Sequence, residues 1–370
     1  MPITASAPGK IIWIGGYSVL ERPNVSFITS VDKRVVAKAE KIDKNNYEIN
    51  APQLLASARG KITAGKLNLT NDPKLKFVAT ALETVLAYLK IKNIPTSGIK
   101  IETNSDAAFA SGAGKSGLGA SAAVTVATTA AVLGCFEPKL SKDKEIVHKL
   151  SQISHSTAQG KVGSGFDIAA ATYGSCKYVR FSPHIVEKGV AAAGEKWDYQ
   201  VKKAALPEFF NIIVANIKGK GTSTTELVKK VNQFKEKNPS KYIGLITQLN
   251  EANIHAISDL IELKKARGEK ADEKLLEKFH SAFENGRKIT KQLGQFSGAE
   301  IESDEMSELI EDSKSNGALV AKLPGAGGGD SIAALCTSNE DADNLRKFWG
   351  TNKTLQVLDV NVDNRGYLVG

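Results

Sequence analysis

Arginine is scarce in this 370-residue chain: it supplies 8 of the 49 basic residues and leaves 41 lysines, within a formal net charge of +9. A nucleic-acid binder gathers its basic residues on one element and leans on arginine to read bases. Here the lysines are spread along the chain and often stand beside glutamate, as in Glu273-Lys274-Leu275-Leu276-Glu277-Lys278. That is the pattern of a solvated helix face with i,i+4 pairs, so nucleic-acid binding is not expected. Cysteine is sparse too. Cys135, Cys176 and Cys336 stand far apart with no C-x-x-C pair, which argues against a disulfide framework or a cysteine zinc site and predicts a reducing, cytoplasmic setting. His148, His155, His184, His255 and His280 show no close metal-ligand spacing, and the role of His155 is left open. No run of about 18 uninterrupted apolar residues occurs, so no membrane span is expected. Met1 to Lys10 lacks a charged start followed by an apolar core, so neither is a secretory signal.

What is present is ordinary globular material. Hydrophobic residues make up 42% and charged residues 24%, which excludes a disordered, collagenous or coiled-coil chain, and the length fits two domains. Short apolar segments at Ile3–Ala7, Ile11–Ile14, Phe27–Ser30 and Arg34–Glu40 predict strands and hairpins. Helical spacing follows in Lys74–Leu89, Ala120–Leu133 and Leu140–Gln159. The pattern fades around Pro183–Gly194 and predicts a division into residues 1–185 and 186–370. Beyond it, helices over 224–235, 242–265 and 273–293 mix with strands near 211–216, 318–323, 332–336 and 355–358. Helix and strand do not alternate regularly, so the fold class is α+β.

Three glycine clusters carry the chemistry. The first is Gly112-Ala113-Gly114-Lys115-Ser116-Gly117-Leu118-Gly119-Ala120-Ser121. Its Gly114-Lys115-Ser116 looks like the end of a Walker A loop, but Phe109 occupies the position where that motif needs glycine. Gly112, Gly114 and Gly117 satisfy G-x-G-x-x-G, yet the following helix leads to another helix and not to a second strand, which excludes a dinucleotide fold. What survives is a backbone that a phosphate can approach closely, feeding the N-terminus of a helix, with Lys115 charge and a Ser121 hydroxyl beside it. The second cluster, Gly160-Lys161-Val162-Gly163-Ser164-Gly165, precedes a lone acid, Asp167, which is either a helix-dipole partner or a catalytic acid. The third, Gly325-Ala326-Gly327-Gly328-Gly329-Asp330, lies between two strands and is either a flexible hairpin or a loop wrapping a ligand.

Ala7-Pro8-Gly9-Lys10, Gly117-Leu118-Gly119-Ala120-Ser121-Ala122-Ala123 and Gly325-Ala326-Gly327-Gly328-Gly329-Asp330 stand in the order and spacing of the three motifs of the GHMP kinases, and together span nearly the whole chain. The chain resembles that family. Gly15-Gly16-Tyr17-Ser18-Val19-Leu20, where galactokinases and mevalonate kinases have Gly-Glu-His, and Ala158-Gln159-Gly160-Lys161 through Asp167 are most similar to its phosphomevalonate kinase branch. Two departures stand out. Ala120 replaces a serine common in the second motif, and no residue matches the glutamate that mevalonate kinases place on Mg2+.

The resemblance implies a two-domain fold with the active site in the interdomain cleft, and a small-molecule kinase acting as monomer or homodimer. It implies ATP as co-substrate on Lys115, Ser116, Gly117, Leu118, Gly119, Ala120 and Ser121, with Mg2+ on the Ser121 hydroxyl. Lys10 and Asp167 match the family's catalytic lysine and aspartate. Phosphomevalonate is the implied acceptor, with mevalonate the alternative and a non-catalytic ligand sensor a further one. Gly16, Tyr17, Lys161, Ser164, Gly165, Lys218, Ser223, Ala326 and Gly327 are expected on the acceptor side. Lys161 and the Lys218–Ser223 segment would supply cations for the acceptor phosphate.

Overall fold

The computed structural model describes residues 1–370 apart from 64, 69–71, 112–113, 116, 161–162, 220 and 266–271; residues 110, 111, 114 and 115 are described by their backbone only. Two main sheets organise the chain. In the larger, the strands run in the order Gln200–Lys203, Cys176–Val179, Val25–Ile42, Gly98–Ser105, Asn46–Ala51, Ala56–Thr63, Lys66–Leu67, while Ile3–Ile14 pairs with Val25–Ile42 and with Leu368–Val369. Asn46–Ala51 and Gly98–Ser105 run parallel. The smaller sheet has the order Val320–Lys322, Ser331–Cys336, Asn211–Ile217, Leu355–Leu358 and is antiparallel throughout.

Helices Lys76–Ile91, Ala120–Phe136, Lys144–Gln159 and Phe166–Tyr173 cover one face of the large sheet. Ala120–Phe136 is built from Ala, Val and Thr and is buried nearly all round, as a helix apolar on every side must be. Gly134 allows its close approach, since a β-carbon there would lie 2.7 Å from Ile3 Cγ2. Lys144–Gln159 starts where Asp143 accepts hydrogen bonds from Glu145 N and Ile146 N and stops at left-handed Gly160, the usual chemistry of helix ends. In the second half, Pro239–Lys265 packs along Glu273–Ser297, while Asp304–Ser315 and Asn339–Thr351 cover the small sheet. Among the described residues no helix is long and apolar enough to cross a membrane.

The expected α+β class holds, and the first strands differ in detail. Ile3–Ala7 and Ile11–Ile14 are one strand, and so are Phe27–Ser30 and Arg34–Glu40. Pro8-Gly9 reads as a turn, but it forms a bulge: the register shifts between Pro8 and Lys10. Proline lacks the N–H that a regular ladder needs, and such bulges re-aim the next side chain. Around the expected division, the chain after residue 185 returns to the large sheet at Gln200–Lys203 and Leu368–Val369.

Candidate active site

The bulge at Pro8-Gly9 turns Lys10 inward. Lys10 N donates to Leu118 O at 2.9 Å and Nζ donates to Gly117 O at 2.8 Å, so the loop of the second motif grips this lysine at both ends. The side chain is 5% exposed, and its ammonium lies 5.4 Å from the centre of the Phe166 ring. Burial pushes the Lys10 pKa below the usual ammonium range, and Asp167 opposes that shift. Gly117 and Gly119 both hold positive φ, at 65° and 80°. The second is the left-handed residue from which the Ala120–Phe136 helix starts.

Asp167 lies in the first turn of the Phe166–Tyr173 helix, which begins from left-handed Gly165. Its Oδ1 accepts from Ile168 N at 2.9 Å. Gln152 Nε2 donates to Gly165 O at 2.7 Å, and Tyr178 Oη donates to Ser164 O at 3.1 Å, fixing the loop before the acid. Arg180 joins this loop to the Gly15–Leu20 segment: Nη1 donates to Leu20 O at 2.8 Å and Nη2 to Gly163 O at 3.2 Å.

His155, on the Lys144–Gln159 helix, stands between the two clusters. Its Nε2 is 3.1 Å from Ser121 Oγ and 3.9 Å from Asp167 Oδ2, and its ring stacks on Phe77 at 5.2 Å. Burial lowers its pKa, with Asp167 acting the other way.

The third motif closes over these residues. A β-carbon on Gly117 would lie 2.4 Å from Ser331 Oγ, so the second loop rests directly on the strand that follows the third. Gly325, Gly327, Gly328 and Gly329 all have positive φ, a backbone that side chains with a β-carbon resist. Gly328 N donates to Ile301 O and Thr222 N donates to Gly328 O, both at 3.0 Å. Tyr17, itself at φ 60°, donates from Oη to Ala326 O at 2.8 Å, linking the Gly15–Leu20 segment to the third motif.

Behind this contact lies a small cavity of about 50 Å³, partly open to solvent, lined by Trp13, Tyr17, Asn253, Arg287, Glu302 and Lys322 among others. Lys322 Nζ donates to Trp13 O at 3.2 Å. Burial pushes the Lys322 pKa down to about 8, Lys10 adds to the fall, and Glu302 resists it. Glu302 is itself held by Arg287 Nη2 at 2.9 Å and Ser307 Oγ at 2.7 Å.

The residues singled out from sequence therefore fall into three groups. Lys10, Gly117, Leu118, Gly119, Ser121, Ser164, Gly165 and Asp167 converge on one cluster, and Gly16 and Tyr17 meet Ala326 and Gly327 beside it. The Lys218–Ser223 segment borders the third motif through Thr222, but Lys218 is exposed with Nζ donating to Lys353 O, and Ser223 caps a helix by accepting from Glu226 N. Ser116 and Lys161 lie outside the described residues, and nothing is described of the Lys115 side chain. Ala120 opens the helix beside Ser121. Sequence reasoning did not single out Lys322 or Arg180. The position of Lys322, at a strand end just before the third motif, was a usable signal; Arg180 offered none.

Two family models match the chain: the GHMP kinases N terminal domain over residues 76–175 and GHMP kinases C terminal over residues 255–353. A phosphomevalonate kinase of Saccharolobus solfataricus is 32% identical over 98% of this chain and 97% of its own length. A mevalonate kinase of Pyrococcus furiosus is 27% identical over 92% of this chain and 91% of its own. Among solved structures, Streptococcus pneumoniae phosphomevalonate kinase in complex with phosphomevalonate and AMPPNP superposes with a TM-score of 0.77 at 18% identity, covering 97% of this chain and 99% of that one.

Proposed function

The chain belongs to the GHMP kinase family, and we propose that it transfers the γ-phosphoryl group of ATP to the phosphate of 5-phosphomevalonate, giving 5-diphosphomevalonate and ADP. The observation that carries this reading is the grip on Lys10: a buried ammonium held by the Gly117 carbonyl, its pKa lowered by burial and Asp167 close enough to oppose that fall. Phosphoryl transfer asks the protein mainly for positioning and charge stabilisation. Lys322, whose affinity for its proton falls through burial and further because Lys10 is near, adds positive charge that an anionic substrate would relieve.

The acceptor decides what Asp167 must do. A phosphomonoester has a second pKa of about 6 and is largely dianionic near neutral pH. It needs no base to remove a proton. In this reading Asp167 orients Lys10 and the acceptor, while Lys10 offsets charge between the two reacting phosphates. The loop from Gly117 to Ser121 holds the ATP phosphates at the N-terminus of the Ala120–Phe136 helix, where backbone N–H groups favour anions. Lys115 and Ser116 belong to the same loop in sequence. Gly16, Tyr17, Ser164, Gly165, Ala326 and Gly327 line the acceptor side, with Lys161, Lys218 and Ser223 as further contacts. Residues 1–185 form the nucleotide-binding half and 186–370 the other, and the strands that return to the large sheet act as straps across the division.

Mg2+ fits what is present. Among the described residues no group of three or more His, Cys, Asp or Glu gathers, yet Mg2+ beside phosphates keeps several waters and takes only one or two protein oxygens. Ser121 Oγ and the Asp167 carboxylate are oxygens of that kind, with His155 Nε2 3.1 Å from the first and 3.9 Å from the second. Held there, the metal would supply positive charge to the transferring phosphates. The similarity to a mevalonate kinase keeps an alcohol acceptor as the second reading. Phosphorus NMR of the products tests the proposal: a new diphosphate signal in the acceptor supports it, and a new phosphomonoester signal from mevalonate supports the alternative.

A further inference from the structure

This inference rests on the reading of Ser121 as the metal-side hydroxyl. A serine oxygen that presents a lone pair to a cation still carries its own proton, and that proton needs an acceptor. Ser121 opens the Ala120–Phe136 helix, and the nitrogen 3.1 Å from its Oγ is His155 Nε2. Asp167 Oδ2, at 3.9 Å from the same nitrogen, lies outside hydrogen-bond range. The imidazole cannot drift: it is 3% exposed, stacked on Phe77 and carried by the Lys144–Gln159 helix.

We propose that His155 is a positioning residue whose Nε2 accepts the Ser121 hydroxyl proton and so turns the Ser121 lone pairs toward the cation and the ATP phosphates. The same ring stands beside Asp167, so one side chain sets the spacing between the nucleotide side and the acceptor side of the site. Partners that orient a metal ligand from behind matter nearly as much as the ligand itself. A purely structural histidine would need only its volume and its stack on Phe77. An orienting one needs an acceptor at the position of Nε2.

The test compares Ser121→Ala, His155→Met and His155→Gln by Mn2+ titration in the presence of AMPPNP, with free Mn2+ read by electron paramagnetic resonance. Thermal midpoints of the ligand-free proteins serve as the folding control. Glutamine places an amide oxygen near the position of Nε2, whereas methionine fills the space without an acceptor. Ser121→Ala and His155→Met are expected to weaken Mn2+ binding by similar factors, roughly tenfold to hundredfold, with His155→Gln close to wild type. The Met and Gln variants should melt together. Wild-type Mn2+ affinity in His155→Met, or a Gln variant as weak as Met, overturns the inference and leaves the Ser121 assignment standing if Ser121→Ala is weakened. Unchanged affinity in Ser121→Ala removes that assignment and the inference with it, while the acceptor assay decides phosphotransfer separately. Should His155→Met fail to fold, His155→Asn replaces it: its shorter amide reaches the position of Nδ1 only, and equal affinities for Asn and Gln overturn the proposal.

Discussion

A β-carbon on Gly119 would lie 2.9 Å from Lys10 Cε. The start of the Ala120–Phe136 helix is thus in contact with the stem of the lysine that the Gly117 and Leu118 carbonyls hold at its two ends. The first and second motifs, more than a hundred residues apart in sequence, act as one clamp.

Gly119→Ala is therefore expected to damage catalysis more than stability. The left-handed backbone costs alanine about 1–2 kcal/mol, and the added methyl pushes Lys10 away from Gly117 O. Steady-state kinetics should show a fall in kcat larger than any rise in the KM for ATP. An unchanged kcat would mean that Lys10 does not need this seat.

Asp167→Asn separates orientation from base catalysis. If the acceptor arrives as a dianion, the variant should lose less than the roughly hundredfold or more that a general base contributes, and keep the wild-type pH profile. A collapse to background would restore Asp167 as an obligatory base.

Lys161→Ala and Lys218→Ala test the outlying cations. Each should raise the KM for the phosphorylated acceptor by roughly tenfold or more, the value of a charged hydrogen bond, and leave the KM for ATP alone. Equal effects on both substrates, or none, would remove that lysine from the site. Lys218 is exposed, and its ammonium already donates to the Lys353 carbonyl.

Lys322 predicts a pH dependence of stability. Its folded pKa is lowered from 10.5 to about 8, so between those values the unfolded chain binds the proton more readily and stability from this group rises with pH. Below pH 8 the full penalty is present. Lys322→Met removes it, and the midpoint difference between variant and wild type should shift steadily in favour of wild type as pH rises from 8 toward 10. A constant difference across that window would place Lys322 outside the buried cluster.

The chain's site was more legible in its sequence than its fold. Glycines mark where the fold leaves no room for a side chain: a β-carbon on Gly117, Gly119, Gly165 or Gly327 would lie within 3 Å of another residue's atoms. Such positions, all at positive φ, favour glycine, so the sequence reports them. The long strands were less visible: Asp32-Lys33 and Pro8-Gly9 look like turns, although Val25–Ile42 and Ile3–Ile14 continue past them through a bulge. Strands Asn46–Ala51 and Ala56–Thr63 went unread because one face of Ala56–Thr63 is exposed and carries Ser57, Arg59 and Lys61. His155 was flagged without a role, because what defines it is a distance to Ser121 across two helices. Arg180 acts through carbonyls far away in sequence, which no local pattern records.

The most direct test of the account is kcat/KM with ATP and Mg2+ for 5-phosphomevalonate and for mevalonate, measured side by side on the wild-type enzyme. The prediction is turnover of phosphomevalonate with a preference of roughly a hundredfold or more, as expected of a site built to pair a charged group that the analogue lacks. Preference for mevalonate, or no turnover of either, would contradict it.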